Sequence, residues 1–202
     1  MTSPQDKLIK TVNIVDSVKL SDRDNVAKSK AKRRETSNDA NTFMAIERSF
    51  KKHYMQLALA EAQKAYAEDE IPVGCVIVQH SNGVVIASAH NLSEQGRNPN
   101  LHAEIIAINE ACKKIDSKSL ADCDIYVSLE PCVMCASAIA NARIKRLYYA
   151  AADPKQGAVE NGIRFYTSKS CFHRPEIYPG LLSSESEATM ASFFSKLRKN
   201  KL

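Results

Sequence analysis

Two short stretches of this chain hold residues that could do chemistry together. The first is "NPNLHAEIIAINEACKK", a run with the pattern of an apolar helix that opens on His102 and places Glu104 two residues later. In the middle of a helix two such side chains point about 200° apart, so a single buried face could use only one of them. The first turn lifts that restriction, because side chains there can reach past the helix end to a common point. The second stretch is "LEPCVMCASAIA", in which Cys132 and Cys135 lie three apart, on one side of a helix and within its first turn. The exposed N–H groups and the dipole at that end lower a thiol's pKa and favour the thiolate, which is the metal-binding form.

His102 with two thiolates makes three ligands for a tetrahedral zinc ion. Three protein ligands leave the fourth position open, the pattern of a catalytic zinc and not of a structural one. Water in that position becomes acidic near neutral pH. Two helix N-termini aimed at the site would offset the negative charge of the thiolates and a hydroxide. Glu104 then reads as the base beside the water, taking its proton, passing it to a ring nitrogen of a substrate and later protonating the leaving amine. The chemistry is hydrolytic deamination of an amidine-like carbon. Alone, a His-x-Glu is more often a buried histidine and a surface acid. A lone Pro-Cys-x-x-Cys could be redox-active or half of a structural zinc site. Specificity comes from the two together, each at a helix start after a strand or loop. Cys75, Cys112, Cys123 and Cys171 have no ligand spacing and read as structural.

The elements that must position these groups follow from periodicity. "SFKKHYMQLALAEAQKAYAEDE" puts Phe50, Tyr54, Leu57, Ala58, Glu61 and Ala65 at helical spacing, with Pro72 as the stop. "PVGCVIVQ" and "GVVIASAH" are β-branched runs joined by "HSNG", whose Asn82-Gly83 predicts a hairpin. A helix is expected from about Leu101 to Lys114 with Asn100 as its N-cap. "CDIYVSLE" is a third strand, followed by a helix with Pro131 at its first position. "KRLYYAA" is a fourth strand, and "DPKQGAVENG" a loop. Met190, Phe193, Phe194 and Leu197 give a terminal amphipathic helix. This order predicts a three-layer α/β/α domain with a central mixed sheet over residues 47–202.

A chain of 202 residues, 44% hydrophobic and 25% charged, fits one such domain with a sizeable core. No run of about 18 apolar residues suggests a membrane span. The first residues lack the apolar core of a signal peptide, and Asp6, Asp16, Asp22 and Asp24 argue against a transit peptide. Six cysteines are too few for a disulfide framework, and a cytoplasmic protein is expected. Residues 1–42 hold nine Lys or Arg against six Asp or Glu, so +3 of the net +5 lies there. They read as a disordered basic polar extension. Its run "KSKAKRR", Lys28 to Arg34, suits a solvated tail, an RNA tether or an import signal.

"EIPVGCVIV", "HAEIIAI", "LEPCVMCASAI" and "DPKQGA" together resemble the bacterial tRNA-specific adenosine deaminases of the cytidine deaminase-like superfamily, from about Glu47 to Leu202. The resemblance implies a five-stranded sheet and conversion of adenosine to inosine at the wobble position of a tRNA anticodon. It implies a homodimer with one Zn²⁺ per subunit, and a tRNA anticodon stem-loop as partner. Matched position by position, His102, Cys132 and Cys135 are the zinc ligands and Glu104 the proton shuttle. Asn91, Ala103 and Asp153 are the substrate-binding positions, Asn91 toward the base and Asp153 toward the ribose. Without the resemblance, Asn91 is a strand-ending turn residue and Asp153 an ordinary loop residue. Lys196, Arg198 and Lys199 could contact tRNA phosphates, and would equally complement the terminal helix dipole. Two departures lie where nucleic acid should run: Asn98-Pro99-Asn100-Leu101 replaces Asp-Pro-Thr-Ala, and Ala152 stands where an Arg is common. The alternatives are a deaminase of a free base or nucleotide such as guanine, and a catalytically silent zinc-fold scaffold.

Overall fold

A computed structural model of the chain describes residues 26–199. The chain divides into two compact units, Met1–Ala45 and Ile46–Leu202, and the sheet and all candidate site residues belong to the second. Helix α1 runs over Val26–Ala67. Residues 26–42, expected within a disordered extension, are thus helical and include the basic run; residues 1–25 lie outside the described residues. No Gly or Pro interrupts positions 26–67, which are rich in Ala, Lys, Arg and Glu, all strong helix formers.

The core side of α1 is built from Met55, Ala58, Ala62 and Ala65, all buried. Glu61, expected within the apolar stripe, instead takes its carboxylate to His90 Nδ1 at 3.1 Å and to Lys64 at 2.7 Å. Small residues let the helix ride close on the sheet. A Cβ on Gly74 would collide with the Ala58 carbonyl oxygen and the Ala62 nitrogen. The helix ends before Pro72, where Asp69 turns the chain with φ 59°.

Strands β1 (Gly74–Gln79) and β2 (Val85–His90) form the expected antiparallel hairpin. Gly83 has φ 71°, and Asn82 Oδ1 accepts the Val84 N–H at 2.9 Å. Helix α2 (Ala103–Ile115), β3 (Cys123–Leu129), α3 (Val133–Asn141) and β4 (Arg146–Ala151) follow. A 3-10 turn at Phe165–Thr167 leads to β5 (Glu176–Pro179) and α4 (Ser183–Lys199). β5 had no address in the periodicity. It is four residues long, mostly exposed and ends in proline, which only an edge strand tolerates.

The sheet order is β2-β1-β3-β4-β5. β1 is antiparallel to both neighbours, while β3, β4 and β5 run parallel, so the sheet is mixed. Alternate residues face opposite sides, as a pleated strand requires. Cys75, Ile77, Ile125, Val127 and Leu147 pack with α2 and α3. Val76, Val78, Tyr126, Tyr148 and Ala150 pack on the other face, against Met55 and Ala58 of α1. α4 joins that second layer, its Ser186 hydroxyl donating to the Ser128 carbonyl and its Phe193 buried against Tyr66. The expected three-layer α/β/α fold is the one observed. Among the described residues no helix is long and apolar enough to cross a membrane.

Topology places the site. β2 and β3 are both antiparallel to β1, so β2, β3 and β4 point the same way. Their carboxyl ends lie along one edge, where ligand crevices of open α/β sheets form. The segment holding Asn91 and His102 leaves β2, that holding Cys132 leaves β3, and that holding Asp153 leaves β4.

Candidate metal centre

Helix α2 starts at Ala103 with His102 as its N-cap, extended at φ −74° and ψ 150°. Asn100 was the expected cap. The cap bond comes instead from across the fold: Asn91 Oδ1, at the end of β2, accepts the Ala103 N–H at 2.8 Å. Helix α3 starts at Val133 with Cys132 as its N-cap, at φ −70° and ψ 174°. Pro131 therefore lies one residue ahead of the cap and not at the first helical position. Its carbonyl accepts the Ala158 N–H at 3.0 Å. Neither His102 nor Cys132 makes a side-chain cap bond, so both side chains are available to each other.

They do meet. His102 Nδ1 lies 3.7 Å from Cys132 Sγ and 3.5 Å from Cys135 Sγ. Among the described residues this is the one group of three or more His, Cys, Asp or Glu whose ligand atoms all fall within 4.8 Å of one another. A tetrahedral ion with Zn–N and Zn–S bonds of about 2.0–2.3 Å has ligand–ligand edges of about 3.5–3.7 Å. The donor set and its spacing both fit zinc.

Glu104 sits two residues into the same N-terminus, 3% exposed, and its Oε2 has no hydrogen-bond partner. Burial pushes its carboxyl up to about 7. The Cys132 thiol is drawn down to about 4, first by the hydrogen bond from Cys135 and then by that from His102. Cys135, which gives that bond and is buried, is pushed well up. The hydrogen bond to Cys132 in turn raises His102. A thiol drawn toward its anion and a buried carboxyl held toward its acid form therefore sit side by side.

The other expected residues divide. Asn91 is 4% exposed and commits its oxygen to α2, so what it can offer a ligand is its NH₂ group. Ala103 is wholly buried with its N–H taken by Asn91, and has no side-chain group to offer a substrate. Asp153 is half-buried after β4, with Oδ1 accepting the N–H groups of Lys155 at 2.9 Å and Gln156 at 3.1 Å. Lys196 pairs with Asp69 and lies over the Tyr66 ring, 5.5 Å from its centroid, so much of its charge is already engaged. Arg198 and Lys199 are exposed at the end of α4. Cys75, Cys123 and Cys171 are buried free thiols, as their lack of ligand spacing suggested, and Cys112 is half-buried.

Sequence reasoning missed two residues. Glu130 is 2% exposed and accepts hydrogen bonds from the loop after β4. Gly157 pairs with Cys132 in an isolated antiparallel bridge, and a Cβ there would strike the Asp153 carbonyl and the Glu130 carboxyl. Both stand inside quoted motifs, but a buried carboxylate facing its own future loop leaves no periodic trace.

Comparison with known proteins bears on this geometry. Residues 48–151 match the family described as the cytidine and deoxycytidylate deaminase zinc-binding region. The chain is 56% identical over 144 residues to a tRNA-specific adenosine deaminase of Rickettsia typhi, covering 71% of this chain and 97% of that one. It is 47% identical over 146 residues to the tRNA-specific adenosine deaminase of Agrobacterium fabrum, covering 72% and 95%. A structure solved in studies of A-to-I editing by tRNA:A34 deaminases at the wobble position of transfer RNA superposes with a TM-score of 0.66 at 48% identity, covering 68% of this chain and 98% of that one. A guanine deaminase from Nitrosomonas europaea superposes with a TM-score of 0.63 over 71% and 84%, and at 22% identity speaks to the fold alone.

Proposed function

The chain belongs to the zinc-binding cytidine and deoxycytidylate deaminase family and, within it, to the tRNA-specific adenosine deaminases, and on that premise we propose that it hydrolyses the wobble adenosine of a tRNA anticodon to inosine. The observation that carries the proposal is one imidazole and two thiols at tetrahedral spacing beside a buried carboxyl oxygen that has no partner.

His102, Cys132 and Cys135 would hold one zinc ion per subunit. When bound, zinc supplies a Lewis acid with an open position at which water ionises near neutral pH. Glu104 then does the proton work. Its Oε2 takes a proton from water and delivers it to N1 of the adenine as the hydroxyl adds at C6, then takes that hydroxyl's remaining proton and gives it to the departing amine. Adenosine and water become inosine and ammonia. Asn91 turns its NH₂ toward an acceptor on the purine edge, because its oxygen is occupied. Asp153 has one oxygen beyond its turn for a ribose hydroxyl. A wobble base is already in a single-stranded loop, so extruding it costs little, and its neighbours can be splayed and read.

The proposal includes residues 47–202 as the catalytic unit, a homodimer, a cytoplasmic setting, and Arg198 and Lys199 with Lys196 as phosphate contacts. A scaffold role is disfavoured by Glu104, which a silent subunit would have no reason to bury uncompensated. The test is to incubate the protein with total tRNA and sequence for A-to-G changes at wobble sites, with free guanine as the competing substrate. Editing at wobble adenosine supports the proposal; guanine turnover with wobble sites untouched overturns it. Metal analysis against protein concentration and sedimentation check the stoichiometry and the dimer.

A further inference from the structure

The loop after β4 is wrapped around a single carboxylate. Glu130 Oε2 accepts the Asp153 N–H at 3.0 Å and the Asn161 Nδ2 at 2.6 Å. Its Oε1 accepts the N–H groups of Val159 at 3.1 Å, Glu160 at 2.9 Å and Asn161 at 3.0 Å. Donors from both ends of the loop thus converge on one charge, as in backbone nests that hold anions. Gly157 has no room for a Cβ because the Glu130 carboxyl lies against it. The same loop lies on the metal side of the fold. Gly157 pairs with Cys132, and Ala158 donates to the Pro131 carbonyl at 3.0 Å. Tyr149 adds one outside tie, its hydroxyl donating to Glu160 Oε2 at 2.6 Å.

Among the described residues, every bond to the Glu130 carboxylate comes from this loop and none from the sheet or α3. Its effect is therefore on where the loop stands relative to Cys132. We propose that Glu130 is a positioning residue for the nucleic-acid substrate: it grips both ends of the loop and so holds Asp153 preformed beside the Cys132 end of α3. This rests on the tRNA-deaminase reading. A preformed loop spares the ordering that binding would otherwise require, so the effect falls on substrate affinity more than on the chemical step.

Glu130→Gln tests it in the metal-loaded protein. The change keeps the shape but puts an NH₂ where donors already point, whichever way the amide turns. Two or more of the five bonds are lost. The expected result is faster amide hydrogen exchange at positions 153–161, zinc content unchanged, and KM for an anticodon stem-loop raised about tenfold with kcat within about threefold. Asn161→Ala removes one of the same bonds from the loop side and should move KM in the same direction, even if the glutamine variant folds poorly. Unchanged exchange, loss of zinc, or a fall in kcat with KM unmoved would overturn the inference. Active wild type with KM unaltered in both variants sinks this inference alone. A wild type that leaves the stem-loop untouched sinks the tRNA reading and the substrate half of this one, while the exchange data still decide whether the clamp exists.

Discussion

Replacing Glu104 by glutamine should make the protein a far poorer catalyst and, without metal, a more stable one. The carboxyl is 3% exposed with Oε2 unpartnered, and burial raises it from an ordinary 4.5 to about 7. A raised acid is favoured protonated in the folded state, so the folded state resists ionising it as pH climbs. Below about pH 4.5 the group is protonated folded and unfolded, and contributes no pH-dependent difference. Between 4.5 and 7 the unfolded chain ionises first, and the destabilisation grows. Above 7 it levels off at the 2.5 units between the two values, about 3 kcal/mol at 1.36 kcal/mol per unit. Glutamine is neutral throughout. Urea unfolding of metal-free wild type and Glu104→Gln should therefore show a stability difference that moves toward the variant by about 3 kcal/mol from pH 4.5 to pH 8. The zinc-loaded variant should keep its metal while kcat falls by at least about 10²–10⁴, the contribution of a positioned acid–base group. A difference flat across that pH range would refute burial as what raises this carboxyl. Wild-type turnover in the variant would refute its role as proton carrier.

Gly157→Ala should destabilise by about 1–3 kcal/mol in urea unfolding, because its Cβ meets the Asp153 backbone and the Glu130 carboxyl with little room to give. At Asn91, aspartate keeps an oxygen for the Ala103 N–H but has no NH₂. Asn91→Asp should thus lose substrate affinity and, as a carboxyl at a position only 4% exposed, lower the melting temperature increasingly as pH rises, whereas Asn91→Ala should lose about 1 kcal/mol of capping at any pH. Cys132→Ser should lower the zinc-to-protein ratio measured by elemental analysis, since a hydroxyl replaces one of two thiolate donors. At Glu130 burial alone would raise the carboxyl, but the bonds from Asn161, Asp153 and Glu160 outweigh it and hold it below its ordinary 4.5. The stability it contributes is present above that value and is lost as pH falls through the folded one. The gap in urea midpoint between wild type and Glu130→Gln should accordingly close in acid.

The amino-acid sequence alone determined the donor set, the helix starts and the hairpin. His102, Glu104, Cys132 and Cys135 were legible because helix ends and three-residue spacings are local facts, and Asn82-Gly83 because a tight turn needs particular residues in place. Even so, Asn100 and Pro131 each misled by two residues, since caps can be supplied from elsewhere, as Asn91 supplies that of α2. The short edge strand β5 had no address because an exposed proline-ended segment carries no alternation. Only the tertiary structure decided that His102 and Cys132, 30 residues apart, lie 3.7 Å from each other. It also decided that Glu104 is buried with one carboxyl oxygen unpartnered, that Lys196 is paired with Asp69, and that Glu130 faces a loop more than twenty residues further on. Burial and long-range hydrogen bonding depend on where a crossover returns the chain, and periods of 2 and 3.6 residues carry no record of that.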